Sequence, residues 1–187
     1  MQNLSPTLKN QKVILRPLQQ SDEELLWPIA QEKELWIYGL KDLGIRENLQ
    51  QYIQSALADR DAGHCAVWTI IEAATGKVAG CTRLAEISWK DERGQIGWTW
   101  IGKEFQGSGL NRAMKYEVLK YGFKTLGLNR IELKADERNL QSRKAILKLG
   151  ATEEGTLRQH MKIHDGFIRN TVFYSMLKSE WPEIKAK

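Results

Sequence analysis

A short glycine-bearing turn is the segment of this sequence best suited to chemistry. It occupies residues 102–111, between a run of strand-forming residues (95–101) and a long helical pattern that begins at Leu110. Backbone N–H groups in the first turn of a helix have no intrahelical partner, and the helix dipole adds partial positive charge there. Glycines let the backbone approach an anion without a Cβ in the way. The pattern predicts a diphosphate-binding site.

Two other phosphate-binding patterns do not fit this turn. A P-loop requires a Lys-Ser/Thr pair after its glycines, whereas Gly109 is followed by Leu110 and Asn111. A dinucleotide-binding fingerprint requires a unit of parallel strands, whereas the preceding strands are joined by tight turns, as in an antiparallel meander. A bare Gly-x-Gly is common by chance, so the surrounding sequence has to support the interpretation.

A second candidate lies one predicted strand further on, where Asn139 opens a short helical pattern that contains Ser142. Asn is among the best N-cap residues, so Asn139 also has a purely structural interpretation. Ser142 is equally compatible with an ordinary polar position in a first helical turn. Both become candidates for chemistry if this helix begins beside the glycine turn.

The composition is typical of a globular protein. The chain has 187 residues, a formal net charge of +5, 42% hydrophobic residues and 27% charged residues, which excludes disorder as the overall state. The length predicts one domain. We expect its body to cover residues 12–178, with residues 1–11 as a loose tail and residues 179–187 as a short tail pinned by Trp181 and Pro182.

The cysteine count and the lengths of the apolar runs argue against a disulfide-rich, metal-binding or membrane-spanning protein. Cys65 and Cys81 are too few for a disulfide framework or a four-ligand metal site, so no metal is predicted and both thiols are expected to be buried. No apolar run approaches the roughly 20 residues that span a bilayer. The first residues lack the basic and apolar regions of a secretory signal. The expected location is the cytoplasm.

The elements that must position these residues are strands and helices in mixed order. Hydrophobic periodicity predicts strands over residues 13–18, 66–72, 78–87, 95–101, 130–135, 152–159 and 168–177, and helices over residues 21–30, 46–59, 110–126 and 139–149. The fold class is therefore mixed α/β (α+β) in a single domain. The basic residues of the third helix, Arg112, Lys115, Lys120 and Lys124, are expected on its solvent face.

Together these motifs resemble the GNAT superfamily of acyl-CoA-dependent N-acetyltransferases, most closely its RimJ/RimL-like branch, which acetylates N-terminal α-amines of ribosomal proteins. The resemblance runs from about residue 13 to residue 177 and depends on the order and spacing of short motifs. They are Leu15-Arg16-Pro17-Leu18, Gln106-Gly107-Ser108-Gly109, Asn139 with Ser142, Lys148-Leu149-Gly150-Ala151, Glu154-Gly155, and Asp165-Gly166 before Tyr174-Ser175. It implies a GNAT-type domain with a central, mostly antiparallel sheet, flanking helices, and a splayed parallel pair formed by the fourth and fifth predicted strands.

The resemblance implies acetyl-CoA as co-substrate, with its pantetheine arm between residues 95–101 and 130–135. The backbone of Trp100 and Ile101 would pair with the arm, and Asn139 would contact it. The residues implied for the pyrophosphate are Gln106, Gly107, Ser108, Gly109, Leu110 and Asn111. The family pattern Gln/Arg-x-x-Gly-x-Gly/Ala is met in part: counted from Gln106 it ends on Asn111, and counted from Glu104 it begins with an acid.

The resemblance also implies catalytic roles. In the RimJ/RimL-like branch, a Ser at the position of Ser142 is the proposed proton donor to the leaving sulfur, and the Tyr that many GNAT enzymes use is replaced by Ile146. The general base is unassigned. The carboxylate that many relatives carry on the fourth strand is missing from residues 93–96, and that of the RimL-type site falls on Met161. Glu86 and His160 are the candidates nearby.

The leading interpretation is an enzyme in which a primary amine directly attacks acetyl-CoA in a ternary complex, the acceptor being a protein N-terminal α-amine. A polyamine, aminoglycoside or amino acid is the alternative acceptor within this class. A catalytically idle acyl-CoA sensor is suggested by the missing base, and a ribosome- or RNA-binding module by the net charge. No RNA-binding signature and no basic run interleaved with aromatics supports the last. Monomer and homodimer are both compatible with the sequence.

Overall fold

The computed structural model describes residues 4–186, with side chains through residue 183. The strands are β1 Leu8–Lys9, β2 Val13–Pro17, β3 Ala66–Glu72, β4 Val78–Ser88, β5 Arg93–Ile101, β6 Arg130–Asp136, β7 Thr152–Lys162 and β8 Ile168–Leu177. The α-helices are α1 Asp22–Ala30, α2 Arg46–Asp61, α3 Leu110–Lys120, α4 Leu140–Lys148 and α5 Trp181–Ala186. All eight strands form one sheet in the order β1-β2-β3-β4-β5-β6-β8-β7.

Helices cover the two faces of this sheet unequally. α1 and α2 lie over β3 and β4 on one face, where Leu26, Ile53 and Trp100 share a core. α3 and α4 pack on the opposite face, where Met114 and Ile146 join the larger core. β7 forms the far edge of the sheet, and every side chain of this strand except the half-buried one of Met161 is exposed.

The one parallel pair, β5 with β6, is joined over a short stretch only. Arg93 to Gln95 pair with Arg130 to Glu132, after which β5 continues beside β4 and β6 continues beside β8. An opening therefore separates residues 97–101 from residues 133–136. The mostly antiparallel sheet with a splayed parallel pair is confirmed.

A β-bulge at Trp98 accounts for the divergence of β5. The register with β4 changes between the pairs Cys81–Trp100 and Arg83–Gly97, and Trp98 has a φ of 49°. Tyr52 Oη donates to the Trp98 carbonyl oxygen at 3.0 Å and so secures the bulge from α2. Because a bulge bends its strand and increases the local twist, the end of β5 turns away from β6.

Three expectations need correction. The described part of the N-terminal tail is packed, since Leu4 is buried and β1 pairs with β2. The third helix is α-helical only to Lys120 and ends in a π-helical turn, where Gly122 lets the chain pass close to Ile131. Lys115 is buried rather than solvent-facing. Within residues 4–186 no helix combines the length and apolar character needed to cross a membrane.

Candidate active site

The glycine turn lies at the open end of β5 and leads directly into α3. Gly107 and Gly109 have φ values of 77° and 87°, in the left-handed region that favours glycine. A Cβ at Gly107 would meet no atom within 4 Å, so the backbone is bare on its outer side. The Leu110 N–H donates to Ser108 Oγ at 3.2 Å, so the turn itself uses one of the predicted anion donors.

Gln106 fastens this turn to its surroundings with both ends of its amide. Its Nε2 donates to the Ile101 carbonyl oxygen at 3.0 Å, and its Oε1 accepts from Gln141 Nε2 at 3.3 Å. The Gln106 side chain and the Ile101 carbonyl were both expected to contact the cofactor. In the structure they are hydrogen-bonded to each other. Glu104, the alternative first position of the motif, is held 2.8 Å from Lys77 Nζ.

Two side chains beside the turn add to what it can bind, and of these sequence reasoning missed Lys12. Lys12 Nζ lies 3.5 Å from the Ser108 carbonyl oxygen and places a positive charge beside the glycines. The buried Asn111 Oδ1 has no hydrogen-bond partner within the described part of the chain. Since a buried acceptor without a donor is costly, Asn111 is suited to meeting an N–H or O–H of a ligand. The site thus fits a group that combines phosphates with an amide-containing arm.

The start of α4 lies beside the turn, as the Gln106–Gln141 contact shows. Asn139 Oδ1 accepts from the Ser142 N–H at 2.9 Å, which confirms the N-cap interpretation. Ser142 is half-buried, and its hydroxyl makes no hydrogen bond to any residue among 4–186. Ile146 is buried in the core one turn later. The structure therefore brings Asn139 and Ser142 to the mouth of the opening.

Glu86 lies on the other face of the sheet, close to where β5 and β6 part. It occupies a bulge of β4, with a φ of 53°, and its Oε1 reaches across to Lys134 Nζ of β6 at 4.0 Å. The ammonium of Lys134 lies 5.8 Å from the centroid of the Trp98 ring. A carboxylate, an ammonium and an indole thus surround the vertex of the opening on the face opposite α4.

His160 shares this face. Its ring lies 5.6 Å from the ring of Phe173, which pairs with Lys134 across β6 and β8. Partial desolvation, followed by the positive charges of Lys134 and Arg169, lowers the pKa of His160. The lowered pKa favours the neutral imidazole, which is the form that can accept a proton.

Arg83 is a charged residue of this region that the sequence did not single out. It is buried, its Nη2 donates to the Tyr52 carbonyl oxygen at 2.8 Å, and its guanidinium stacks 4.0 Å from the Tyr52 ring centroid. The Trp98 ring centroid lies 5.7 Å from the Arg83 guanidinium. An Arg in the middle of a mostly apolar strand was the available signal.

The closing hairpin forms a wall beside this face. His164 Nε2 lies 3.0 Å from the Trp36 carbonyl oxygen, and Arg169 Nη1 donates to the Tyr38 carbonyl oxygen at 3.3 Å. These contacts fasten the β7–β8 hairpin to the segment after α1. The opening in the sheet thus has two approaches, one beside the glycine turn and one beside the β7–β8 hairpin.

Comparison with known proteins identifies the arrangement. A family model described as the acetyltransferase (GNAT) domain matches residues 12–152. The chain belongs to the GNAT acetyltransferase family. The predicted family, the enzyme class and the use of acetyl-CoA are therefore confirmed.

Two Bacillus subtilis (strain 168) proteins are among the relatives of this GNAT acetyltransferase. YdaF, whose name proposes a ribosomal N-acetyltransferase, is 34% identical over 106 residues, which is 57% of this chain and 57% of YdaF. YoaA, an uncharacterized N-acetyltransferase, is 29% identical over 174 residues, which is 92% of this chain and 97% of YoaA.

Solved structures share the fold over nearly the whole GNAT domain. A GCN5-related N-acetyltransferase from Brucella melitensis has a TM-score of 0.87 and 25% identity, covering 97% of this chain and 82% of that one. RimJ of Mycobacterium smegmatis, solved in complex with CoA-disulfide, has a TM-score of 0.82 and 21% identity, covering 95% and 88%. At that identity RimJ is evidence for the shared fold alone.

Proposed function

We propose that residues 12–178 form a domain that transfers the acetyl group of acetyl-CoA to a protein N-terminal α-amine of the ribosomal-protein type. The observation that carries this proposal is the two-sided opening between β5 and β6. Its one face has the glycine turn and the start of α4, and its other face has Glu86 and Lys134. The name of YdaF supports the acceptor class.

The cofactor half of the site uses the backbone. The N–H groups of Gly107, Ser108, Gly109 and Asn111 hold the pyrophosphate, assisted by the charge of Lys12. At Trp100 and Ile101, β5 pairs with β4 but not with β6, and its free edge on the β6 side binds the pantetheine arm. Asn111 Oδ1 and the Asn139 amide supply side-chain contacts. Acetyl-CoA provides the acetyl group as a thioester.

The acceptor half of the site transfers protons from the amine and to the leaving sulfur. The amine nitrogen forms a bond to the acetyl carbon, the carbon–sulfur bond breaks, and the nitrogen loses a proton. Glu86 takes this proton, directly or through water, with His160 as the second candidate on the same face. The Ser142 hydroxyl, free of other hydrogen bonds in the described chain, donates a proton to the leaving sulfur from the α4 side. Positioning of the two reactants in one complex supplies much of the rate.

An acetyl-CoA thiol-release assay across an amine panel tests the acceptor class. Peptides with ribosomal-protein N-termini should be turned over with kcat/KM values well above those of polyamines, aminoglycosides and free amino acids. Preference for a small amine would contradict the proposed acceptor. Binding of acetyl-CoA without turnover of any amine would instead identify an acyl-CoA sensor.

Variants of two serines test the role of Ser142. Ser142→Ala should lower kcat by roughly 10²-fold and leave the Kd of acetyl-CoA unchanged, because the cap uses the backbone N–H of this residue. Ser179→Ala, an exposed serine near the C-terminus, is the control and should match the wild type. A loss of acetyl-CoA affinity without a loss of kcat would rule out the proton-donor role.

A further inference from the structure

Lys115 is a buried cation that the proposed chemistry does not use. Its side chain projects from α3 towards the sheet, the residue is 7% exposed, and Nζ donates to Thr99 Oγ1 at 3.1 Å. Thr99 Oγ1 lies 2.7 Å from Thr82 Oγ1, so the ammonium ends a short chain of hydroxyls. An ammonium has three N–H donors. Within residues 4–186 only one of them is used.

Among the side chains that the structure describes, through residue 183, no charged group compensates this burial. On α3 itself, Glu117 pairs with Lys120 and accepts from Asn10. On β2, which packs against α3, Arg16 pairs with Asp22, and Lys12, which directly precedes this strand, lies at Ser108. Desolvation by burial therefore lowers the pKa of Lys115 to about 7. A buried cation without a counter-charge is unfavourable for folding, so a ligand that accepts from its unused N–H groups would stabilise it.

Lys115 lies where a bound ligand would reach it. Thr99 belongs to the part of β5 that has lost β6 as a partner, and α3 begins at the glycine turn. A pantetheine arm that runs from the turn along residues 99–101 therefore passes the end of the Lys115 side chain. Such an arm carries amide carbonyls and ends in the thioester carbonyl, and these are acceptors without a charge.

We propose that the Lys115 ammonium donates a hydrogen bond to a carbonyl oxygen of acyl-CoA bound in the opening between β5 and β6. This inference relies on the proposed placement of the arm along β5. Lys115 is then a cofactor-positioning residue on the α3 side, separate from Glu86 and Ser142. A carbonyl acceptor stabilises the charged form of Lys115, so binding takes up a proton where the free lysine is partly neutral.

The affinity for acyl-CoA therefore depends on pH. Below about pH 7 Lys115 is charged before and after binding, and affinity is highest. As pH rises above about 7, binding has to recruit a proton, and affinity falls. A neutral side chain at position 115 has no such dependence.

Calorimetric titration of the full chain with CoA and acetyl-CoA tests this, at about pH 6 and about pH 8.5, in two buffers of different ionisation enthalpy. The wild type should bind more weakly at the higher pH and take up protons there. Lys115→Met should weaken binding at the lower pH by about tenfold and lose the proton uptake. Lys115→Gln, which keeps a neutral donor, should retain part of the affinity with no pH dependence. Lys120→Met, on the exposed side of the same helix, should match the wild type.

The choice of ligand locates the carbonyl. If the pantetheine amides are the acceptors, Lys115→Met weakens CoA and acetyl-CoA equally, and if the thioester is the acceptor, it weakens acetyl-CoA alone. Adenosine 3′,5′-bisphosphate, which lacks the arm, should bind all variants equally. Unchanged binding of both CoA forms by Lys115→Met would overturn the inference while leaving the proposed function intact. So would acetylation of Lys115 found by mass spectrometry, since the amine would then be an acceptor. No acetyl-CoA binding by the wild type would overturn both.

Discussion

Gln141 Nε2 donates to Gln106 Oε1 at 3.3 Å, which joins the start of α4 to the glycine turn. Because the other end of Gln106 is bound to the Ile101 carbonyl, the end of β5, the turn and α4 form one connected unit. The bare glycine backbone and the Ser142 hydroxyl are therefore held in a fixed relation by side-chain amides. Side chains of the protein itself thus hold the mouth of the site together.

Gly107→Ala should weaken acetyl-CoA binding by about tenfold or more, since a shift of the turn misaligns its N–H donors. Gly127 provides a matched control. The φ values of the two glycines are 77° and 76°, and a Cβ at either would meet nothing within 4 Å. Gly127→Ala should thus cost the same stability, about 1 kcal/mol, with unchanged affinity. Equal losses of affinity in both variants would show that backbone strain alone is responsible.

Glu86→Gln should lower kcat/KM by roughly 10²-fold, because the amide cannot accept the proton. Glu92→Gln is the matched control. Glu92 is also exposed and has a φ of 49°, but it lies in the turn between β4 and β5. Steady-state kinetics provide the measurement, and a wild-type kcat/KM for Glu86→Gln would exclude this base.

Tyr52→Phe should destabilise the protein by about 1–2 kcal/mol, because the Trp98 carbonyl in the bulge loses its donor. A looser bulge should also weaken acetyl-CoA binding. Tyr116→Phe is expected to be neutral, since the Tyr116 hydroxyl has no hydrogen bond within the described chain and its ring packs on Trp181. Urea unfolding compares the two, and similar free energies of unfolding for both variants would argue against a role of Tyr52 in holding the bulge.

Lys115→Met should raise the free energy of unfolding at pH 7 by about 1–3 kcal/mol, because an uncompensated buried charge is removed. The folded-state pKa of about 7 lies below the ordinary value, so the unfolded chain binds more protons between about pH 7 and about pH 10. Wild-type stability should therefore gain a rising contribution across this window that Lys115→Met lacks. Denaturant melts at several pH values measure the difference, and parallel curves for the two proteins would contradict it.

Glu154→Gln should reduce stability at pH 7 by about 0.5–1 kcal/mol, a small effect because the carboxylate is partly exposed. Arg130 binds both carboxylate oxygens, and Ser175 Oγ donates to one at 2.8 Å. The hydrogen bonds from Arg130, followed by that from Ser175, lower the Glu154 pKa to about 2, so the contribution is lost as pH falls from about 4.5 to about 2. Glu153→Gln, which loses one 3.5 Å contact to Arg143, should cost less. Equal acid sensitivity of Glu154→Gln and the wild type would count against the pair.

Local signals carried the sequence prediction of the fold. The glycine turn, the meander of three strands and the Asn139 cap each depend on neighbours in sequence, and the structure has all three. The splayed parallel pair was predicted from the family resemblance alone, because no local sequence pattern indicates that two strands diverge.

Features set by distant contacts escaped prediction. Lys12 lies 96 residues before Ser108, so its approach to the turn follows from the sheet alone. The left-handed conformation at Trp98 has no sequence signal, because a tryptophan there is sterically unusual. Lys115 was placed on the solvent face because lysines are rarely buried, and only the packed helix shows otherwise.

The exposed edge strand β7 affects how copies of the protein associate with one another at high concentration. Its ladder with β8 is interrupted at Gly155 and near Gln159, where φ reaches 154° and 49°. A second copy approaching this edge would find a regular run of hydrogen-bonding groups only a few residues long, flanked by the charges of Glu153, Arg158 and Lys162. Strand-to-strand polymerisation is thereby discouraged, and the same irregular edge stays accessible to a passing polypeptide chain.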